Sequence, residues 1–236
     1  MKIFGLQKTT LLDYPGKIAS IVFTGGCNFR CPYCQNSELL TGAGADPISE
    51  EEVFAHLKKR QGALEGIVIS GGECTLQPDL LEFCQKVKDL GYRIKLDTNG
   101  TSPDLMQKLI AASLIDYVAM DIKNCREKYL ITAGLKEDEH SEFLLQQIET
   151  SVACLLTHPV DYEFRTTVCA EFFTGEDMHR IGQWIKGAEH YYIQPYVDSD
   201  QVLCPGLSTP APDTLLLYRD IMHTYINHVE IRGLDL

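Results

Sequence analysis

The stretch that decides the fold is ASIVFTGGCNFRCPYC, residues 19–34. Its first half is an apolar run that ends in two glycines, which predicts a buried strand followed by a turn. Its second half brings three cysteines, Cys27, Cys31 and Cys34, onto one short loop directly after that strand. Ligands of α/β folds bind at the carboxyl ends of parallel strands, so this loop is the first candidate site.

The three cysteines have the spacing C-x3-C-x2-C, which suits an iron–sulfur cluster. Three thiolates on one loop can hold three irons of a 4Fe–4S cluster and leave the fourth iron without a protein ligand. A metal with an open position is a place to bind and activate a small molecule. A partial zinc site or a chance spacing is the alternative reading, but no second C-x2-C pair follows to complete a four-cysteine zinc site.

Composition narrows the class of protein. The chain has 236 residues, of which 44% are hydrophobic and 23% charged, and this suits one soluble α/β domain. Its net charge of −12 argues against a nucleic acid partner, because phosphate binding requires a basic patch. We expect a cytoplasmic protein without a membrane segment, since no apolar stretch approaches the roughly 20 residues of a span and residues 1–6 lack a secretory core. There thiols stay reduced, so clustered cysteines indicate metal binding or catalysis.

Strand-like runs alternate with amphipathic segments, which predicts parallel βαβ units. The strand candidates are 19–24, 66–70, 93–97, 117–121, 162–168 and 191–195, with 229–232 as a further one, and the helical candidates are 49–59, 78–90, 104–112, 139–156, 175–186 and 212–226. Six units predict an α/β fold, a partial (β/α)6 TIM-type barrel of parallel strands with a short N-terminal strand or hairpin. A doubly wound open sheet is the competing architecture. We expect a single domain over residues 1–236, with its core at about 17–197 and the role of 198–236 left open.

Polar residues recur at the ends of the predicted strands. After the cysteine loop of the first strand, the later strands end in Ser70–Thr75, Asp97–Gly100, Asp121–Lys123, Arg165–Thr167 and Gln194–Pro195. Each segment taken alone has an ordinary explanation as turn chemistry or surface charge. Their recurrence at one level of the sheet favours a single binding mouth.

These motifs resemble a known family. The cysteine loop, with Tyr33 before its third cysteine, and the Gly71-Gly72-Glu73 run resemble radical S-adenosylmethionine (SAM) enzymes. The segments Asp97–Gly100 and Met120–Lys123 are similar to those of glycyl-radical-enzyme activases such as the pyruvate formate-lyase activating enzyme. Three further segments, 5–16, 26–36 and 161–168, are similar to anaerobic ribonucleoside-triphosphate reductase activating proteins. The resemblance covers about residues 1–197.

The resemblance implies an activity and its partners. SAM would chelate the open iron of the 4Fe–4S cluster through its amino group and carboxylate. One electron would break its S–C5′ bond and give methionine and a 5′-deoxyadenosyl radical. That radical would take a hydrogen atom from a backbone glycine of a partner glycyl radical enzyme, with flavodoxin or ferredoxin as electron donor. The cofactors carry this chemistry, and the protein orients them and excludes water.

The resemblance also implies roles for the cysteine loop and for one lysine. Cys27, Cys31 and Cys34 would ligate the cluster. The ring of Tyr33 would pack beside the adenine of SAM. Lys123 would pair with the SAM carboxylate as a point charge.

The other roles implied by the resemblance fall on the later strand ends. Gly71 and Gly72 would let the main chain approach the SAM amino group, because no Cβ intervenes. Glu73 would brace that turn or accept from the ammonium. Asp97 and Asp121 would hold a monovalent cation, since two unpaired buried carboxylates are costly. The remaining candidate residues for binding SAM are Thr98, Arg165 and Gln194.

The chain departs from the family pattern at several positions. Cys74 stands in place of the usual proline, Gln35 in place of histidine, Cys169-Ala170-Glu171 in place of Val-Pro-Gly, and Val197 near a SAM-contacting histidine of formate-lyase activases. These departures leave the substrate open. A radical SAM reaction on a small molecule or peptide is the second hypothesis, in which residues 198–236 would close the mouth. A non-enzymatic iron–sulfur electron carrier or zinc-stabilised binding module is the third.

Overall fold

The computed structural model describes residues 1–40 and 46–233, and within them eight strands form one sheet. The strands are β1 (Ile3–Thr10), β2 (Ala19–Thr24), β3 (Gly66–Gly71), β4 (Arg93–Thr98), β5 (Tyr117–Asp121), β6 (Asp161–Val168), β7 (His190–Pro195) and β8 (His228–Ile231). They lie in chain order across the sheet. β1 is antiparallel to β2, and all neighbours from β2 to β8 are parallel. In the described residues the sheet is open, with β1 and β8 at its two edges.

Helices connect the parallel strands. They are α1 (Glu50–Lys59), α2 (Leu80–Asp89), α3 (Pro103–Ala111), α4 (Tyr129–Thr132), α5 (Glu139–Leu155), α6 (Gly175–Trp184) and α7 (Pro212–His223). Single 3-10 turns lie at Ser37–Leu40, Cys74–Leu76 and Arg126–Lys128. Polar side chains start several helices: the Ser49 hydroxyl accepts from the backbone N–H of Glu52 at α1, and Thr174 and Asp177 form a capping box at α6.

The predicted partial barrel with an added N-terminal strand is confirmed. The six predicted parallel strands start and end within one residue of the observed ones. The run that the sequence left as a further candidate forms β8, a seventh parallel strand paired with β7. Residues 198–236 thus supply α7 and β8, although 234–236 lie outside the described residues. α4 was not predicted, because four residues are too few for a helical period to show.

The two faces of the sheet differ in chemistry. Residues that alternate along the strands, such as Ile69, Leu96 and Met120, are fully buried in the main hydrophobic core. The opposite face, which we call the inner face, carries a small separate hydrophobic cluster of Tyr14, Ala19, Ile21 and Val68. Further toward the carboxyl ends this inner face carries charged side chains. The inner face therefore changes from apolar to polar toward the carboxyl ends of the strands.

Gly71 and Gly72 bring the end of β3 against the end of β2. Gly71 has φ +119°, and a Cβ there would lie 2.3 Å from the Thr24 nitrogen. A Cβ on Gly72 would lie 2.1 Å from the carbonyl oxygen of Gly26. The backbone N–H of Gly72 donates to Thr24 O at 2.8 Å, and that of Glu73 donates to Gly26 O at 2.8 Å. The glycines are therefore required by strand packing beside the cysteine loop, whatever their role toward a ligand.

We predict that Gly71→Ala destabilises the protein by about 2 kcal/mol more than Gly91→Ala, because a methyl group is forced into backbone atoms only at Gly71. Gly91 is the matched control, since it also has a positive φ (+85°) but its Cβ would meet nothing within 4 Å. Urea denaturation of the wild type and both variants measures the difference. Equal losses of stability would show that the close approach of the strands does not require glycine.

Candidate cofactor site

A pocket lies at the carboxyl ends of β2 to β6, where the sequence places the candidate residues. Twelve of the thirteen candidates line it: Tyr33, Gly71, Gly72, Glu73, Asp97, Thr98, Asp121, Lys123, Arg165 and the three cysteines Cys27, Cys31 and Cys34. Gln194, on the inner face of β7, is not among its described lining residues. Its register partner Thr167 lines the pocket, so Gln194 lies one strand beyond the rim.

Backbone hydrogen bonds from two other segments hold the cysteine loop in place. The N–H of Arg30 donates to Ala133 O at 2.9 Å, just after α4. The N–H of Cys204 donates to Pro32 O at 2.9 Å, from the connection between β7 and α7. Within the loop, the N–H of Cys34 donates to Cys31 O at 3.0 Å and closes a turn. The loop thus has a defined backbone although most of it lacks regular secondary structure.

Burial favours the neutral thiols of Cys27 and Cys31 in the absence of metal. It raises the pKa of the Cys27 thiol to about 12, helped by the neighbouring Glu73 carboxylate. It also raises the pKa of the Cys31 thiol to about 11. A bound cation would favour the thiolates, as it does at metal sites generally.

The three thiols line one pocket but do not surround one point. No group of three His, Cys, Asp or Glu side chains in the described residues is arranged around a single metal ion. A 4Fe–4S cluster takes one thiolate per iron, so thiols that share a pocket suit it.

Glu73 braces the turn that follows β3. Its carboxylate is 1% exposed and accepts from the Thr75 N–H at 3.1 Å, the Thr98 hydroxyl at 2.7 Å and the Asn99 N–H at 2.7 Å. Burial raises the pKa of Glu73, and these hydrogen bonds oppose the rise. Of the two roles expected for this residue, the contacts show bracing, since both carboxylate oxygens already accept bonds from the protein.

Asp97 and Asp121 are joined by Arg165. Its Nη1 lies 3.3 Å from one oxygen of Asp97, and its Nε lies 2.9 Å from one oxygen of Asp121. The other oxygens pair with lysines: Lys95 Nζ is 2.7 Å from Asp97 and Lys123 Nζ is 3.1 Å from Asp121. Protein cations therefore compensate both carboxylates in this structure, and the monovalent cation stays a prediction.

The ion pairs fix the charge states at the mouth. Burial alone would raise the pKa of Asp97, but Arg165 and Lys95 hold it below its usual value. Burial would likewise raise the pKa of Asp121, but Arg165 and Lys123 bring it to about 2. Burial would lower the pKa of Lys123, yet Asp121 raises it well above its usual value. Lys123 is therefore an ammonium group on the pocket wall at neutral pH, available to an anionic ligand.

Tyr33 lies at the pocket with a ring that is 4% exposed. The ring is tilted against Phe172, with centroids 6.3 Å apart. Its buried hydroxyl has no hydrogen-bond partner among the described residues. A group bound in the pocket would be the natural source of that partner, and the expected contact with adenine stays a prediction.

Sequence reasoning missed the side chains that connect the cysteine loop to β4. Asn99 donates through Nδ2 to the Asn28 Oδ1 at 2.8 Å, and Asn28 donates to the Thr101 hydroxyl at 2.9 Å. Asn99 could be recognised only as a turn residue, because no sequence spacing shows that two distant loops meet. Cys74, which replaced the usual proline, is fully buried and donates its S–H to Asp97 O at 3.1 Å. It packs beneath the site and does not line the pocket.

The comparison with known proteins identifies the family. The family model described as Radical SAM superfamily matches residues 21–144. A Methanocaldococcus jannaschii protein named as a glycyl-radical enzyme activating enzyme is 32% identical over 236 residues, which cover 99% of this chain and 96% of that protein. The chain belongs to the radical SAM superfamily. It is a radical SAM enzyme, and the prediction made from the motifs is confirmed.

One further relative and one solved structure are similar to this chain. The pyruvate formate-lyase-activating enzyme of Clostridium pasteurianum is 32% identical over 167 residues, covering 67% of this chain and 68% of that enzyme. The crystal structure of a radical SAM methyltransferase from Sphaerobacter thermophilus aligns with a TM-score of 0.70 and 14% identity, over 95% of this chain and 68% of that one. At that identity the second likeness shows the fold alone.

The family implies a 4Fe–4S cluster and SAM, and the pocket fits both. Three thiols are available for iron, a charged Lys123 for a carboxylate, and the Tyr33 hydroxyl for a hydrogen bond. None of the helices in the described part of the chain has the length and apolar character of a membrane span.

We predict that Glu73→Gln lowers the free energy of unfolding by about 1.5–3 kcal/mol. The amide NH₂ that replaces one carboxylate oxygen would meet a hydrogen-bond donor of the protein, so both groups would lose their partner. Glu65→Gln is the control, since the Glu65 side chain is 50% exposed and accepts from the Ile18 N–H at the sheet surface. Chemical denaturation compares the two variants. A loss at Glu73 no larger than at Glu65 would contradict the bracing role.

Proposed function

We propose that this radical SAM enzyme is the activating enzyme of a glycyl radical enzyme. One observation carries the proposal: the three cysteines and the Lys123 ammonium line the same pocket at the carboxyl ends of the strands. The likeness to a named activating enzyme along almost the whole chain supports it.

Within that proposal the residues have distinct roles. Cys27, Cys31 and Cys34 hold the cluster, and Lys123 pairs with the SAM carboxylate. Burial of the pocket excludes water and strengthens that charge pair. A reduced 4Fe–4S cluster held by these thiols would supply the electron for reductive cleavage of SAM, and the chemistry it would make possible is hydrogen abstraction from the substrate.

The other pocket residues orient SAM in this proposal. Gly71 and Gly72 present main chain to its amino group, and Tyr33 and Thr98 lie along the bound nucleoside. Arg165 acts by holding the two aspartates rather than as a free cation, since its guanidinium pairs with both carboxylates. Gln194 is left outside the proposed site.

We propose a protein substrate whose glycine-bearing loop enters from the side, and the sheet, which is open between β1 and β8 in the described residues, supports this proposal. The similarity of segments 5–16, 26–36 and 161–168 to anaerobic ribonucleotide reductase activators supports that enzyme as the partner. Flavodoxin or ferredoxin is the proposed electron donor. We propose one domain over the full chain, in which residues 198–236 contribute the last helix and strand.

We predict that the reconstituted, reduced protein converts SAM to 5′-deoxyadenosine and methionine under anaerobic conditions, and that Cys31→Ala abolishes both products. Chromatography of the quenched reaction measures them, and iron and sulfide analysis measures cluster content. A wild-type protein that binds a full cluster but never cleaves SAM would overturn the proposed function.

We predict that Lys123→Met raises the Kd for SAM by about tenfold or more, because it removes a charge-assisted bond to the carboxylate. Cluster content stays at the wild-type level. Lys88→Met is the matched control, since Lys88 pairs with Asp116 at 2.9 Å at the amino end of the sheet. Equal SAM affinity in the two variants would remove Lys123 from the site.

The partner is tested with the anaerobic ribonucleotide reductase of the same organism. We predict that the complete system generates a glycyl radical signal in electron paramagnetic resonance, and that substitution of the acceptor glycine by alanine removes it. A signal only with another glycyl radical enzyme would correct the partner and keep the activating role. SAM turnover coupled only to a small molecule or peptide would favour the second hypothesis.

A further inference from the structure

A series of buried and half-buried charges runs across the inner face of the sheet and ends at the pocket. Neighbouring members alternate in sign and lie within 4.0 Å of each other. We name this series the charge ladder, and its members in order are Arg232, Glu163, Lys95, Asp97, Arg165, Asp121 and Lys123.

No sequence motif assigns a role to the members of the ladder that lie farthest from the pocket, Arg232, Glu163 and Lys95. Arg232 follows β8, and its Nη2 lies 2.9 Å from both oxygens of Glu163. Glu163 is 0% exposed, accepts a hydrogen bond from the Tyr117 hydroxyl at 3.0 Å, and lies 4.0 Å from Lys95 Nζ. Lys95 is 1% exposed and bonds to Asp97 at 2.7 Å. Buried charges of this kind remain charged only while each has a partner.

Strand geometry explains why the ladder is continuous. Lys95 and Asp97 lie two residues apart on β4, and Glu163 and Arg165 lie two apart on β6, so each pair shares the inner face. Asp121 is the register partner of Arg165. At the other edge, the Arg232 N–H donates to Ile193 O at 2.9 Å, which extends the pairing of β8 with β7. Its guanidinium stacks on the Tyr192 ring, 3.8 Å from the centroid.

The ladder contains four basic and three acidic side chains, which gives it a formal charge of one positive unit. The two aspartates use one oxygen for each neighbouring cation. Lys123 lines the pocket and gives one hydrogen bond to Asp121, so its ammonium group retains donor capacity for a ligand.

We propose that Arg232 is a positioning residue for SAM binding, which acts through the charge ladder to keep Lys123 available to the SAM carboxylate. This inference rests on the proposed function, because it assigns Lys123 to that carboxylate. Arg232 neutralises Glu163, which leaves Lys95 for Asp97. Asp97 then shares Arg165 with Asp121, and Asp121 needs only one bond from Lys123.

Loss of Arg232 would draw the remaining cations of the ladder toward Glu163 and away from the pocket. Glu163 would be buried with Lys95 as its nearest cation and would compete with Asp97 for it. Arg165 would move toward Asp97, and Asp121 would take more of Lys123. The ladder would then hold three cations and three carboxylates, with no positive charge left for a ligand.

The experiment measures SAM binding by equilibrium dialysis to the reconstituted protein with its cluster oxidised, so that no turnover occurs. We expect Arg232→Met to raise the Kd for SAM by about tenfold, within the range of coupling through such networks. Iron and sulfide content should equal the wild-type values. Adding Glu163→Gln to Arg232→Met restores one net positive charge, so the double variant should bind SAM within about twofold of wild type.

Rescue by Glu163→Gln separates charge from structure. If Arg232 only docks β8 on the sheet, neutralising Glu163 does not restore affinity, and a double variant as weak as Arg232→Met overturns the proposal. Arg93→Met is the matched control, since Arg93 pairs with Asp116 at 3.5 Å at the opposite end of β4, and it should leave the Kd unchanged. If Arg232→Met fails to fold, Arg232→Gln replaces it, because glutamine keeps a donor but not the charge.

The outcomes distinguish this inference from the proposed function. Wild-type SAM affinity in Arg232→Met, in a protein that cleaves SAM, overturns the ladder and leaves the proposed function standing. A wild-type holoprotein that does not bind SAM overturns both. A weak single variant with a rescued double variant supports the role of Arg232.

Discussion

The bridge that Arg165 makes between Asp97 and Asp121 is the interaction on which the carboxyl end of the sheet depends. Two carboxylates from neighbouring strands face one pocket, and without a cation between them they would repel each other and lose their hydration. Breaking a buried pair of this kind costs about 3–5 kcal/mol, because the remaining charge has no partner. The arginine can serve both because its Nε and Nη1 point at different carboxylates.

The end of β4 connects this bridge to the cysteine loop. Three consecutive residues take three different partners: Asp97 pairs with Arg165, Thr98 donates to Glu73, and Asn99 donates to Asn28. Glu73 in turn fixes the turn after β3, which lies against Gly26 at the start of the cysteine loop. The thiols and the charged wall are therefore held by one hydrogen-bond network rather than by separate cores, and a change at β4 reaches both.

Local patterns determine how much of this could be predicted from the sequence. The strands follow from apolar runs with turn residues between them, and the cysteine loop from its spacing, because both signals lie within a few residues. Which polar group meets which is a long-range property. Asp97 and Asp121 were recognised as site residues, but Lys95, an interior charge within an apolar strand that pairs with Asp97, was not. The ion pairs that compensate the two carboxylates were therefore not foreseen. Gln194 was chosen as a candidate because it lies at the end of a predicted strand. That position does not show how far the pocket extends across the sheet.

The edge of the sheet at β8 affects the charges of the interior. Since β8 has no strand beyond it among the described residues, the sheet ends at this edge. The same edge brings Arg232 to the buried Glu163, where its guanidinium is partly exposed and still paired. A closed barrel would bury this ion pair completely and raise its desolvation penalty. An open sheet can therefore carry a charged interior, with the terminal strand supplying the cation that the interior requires.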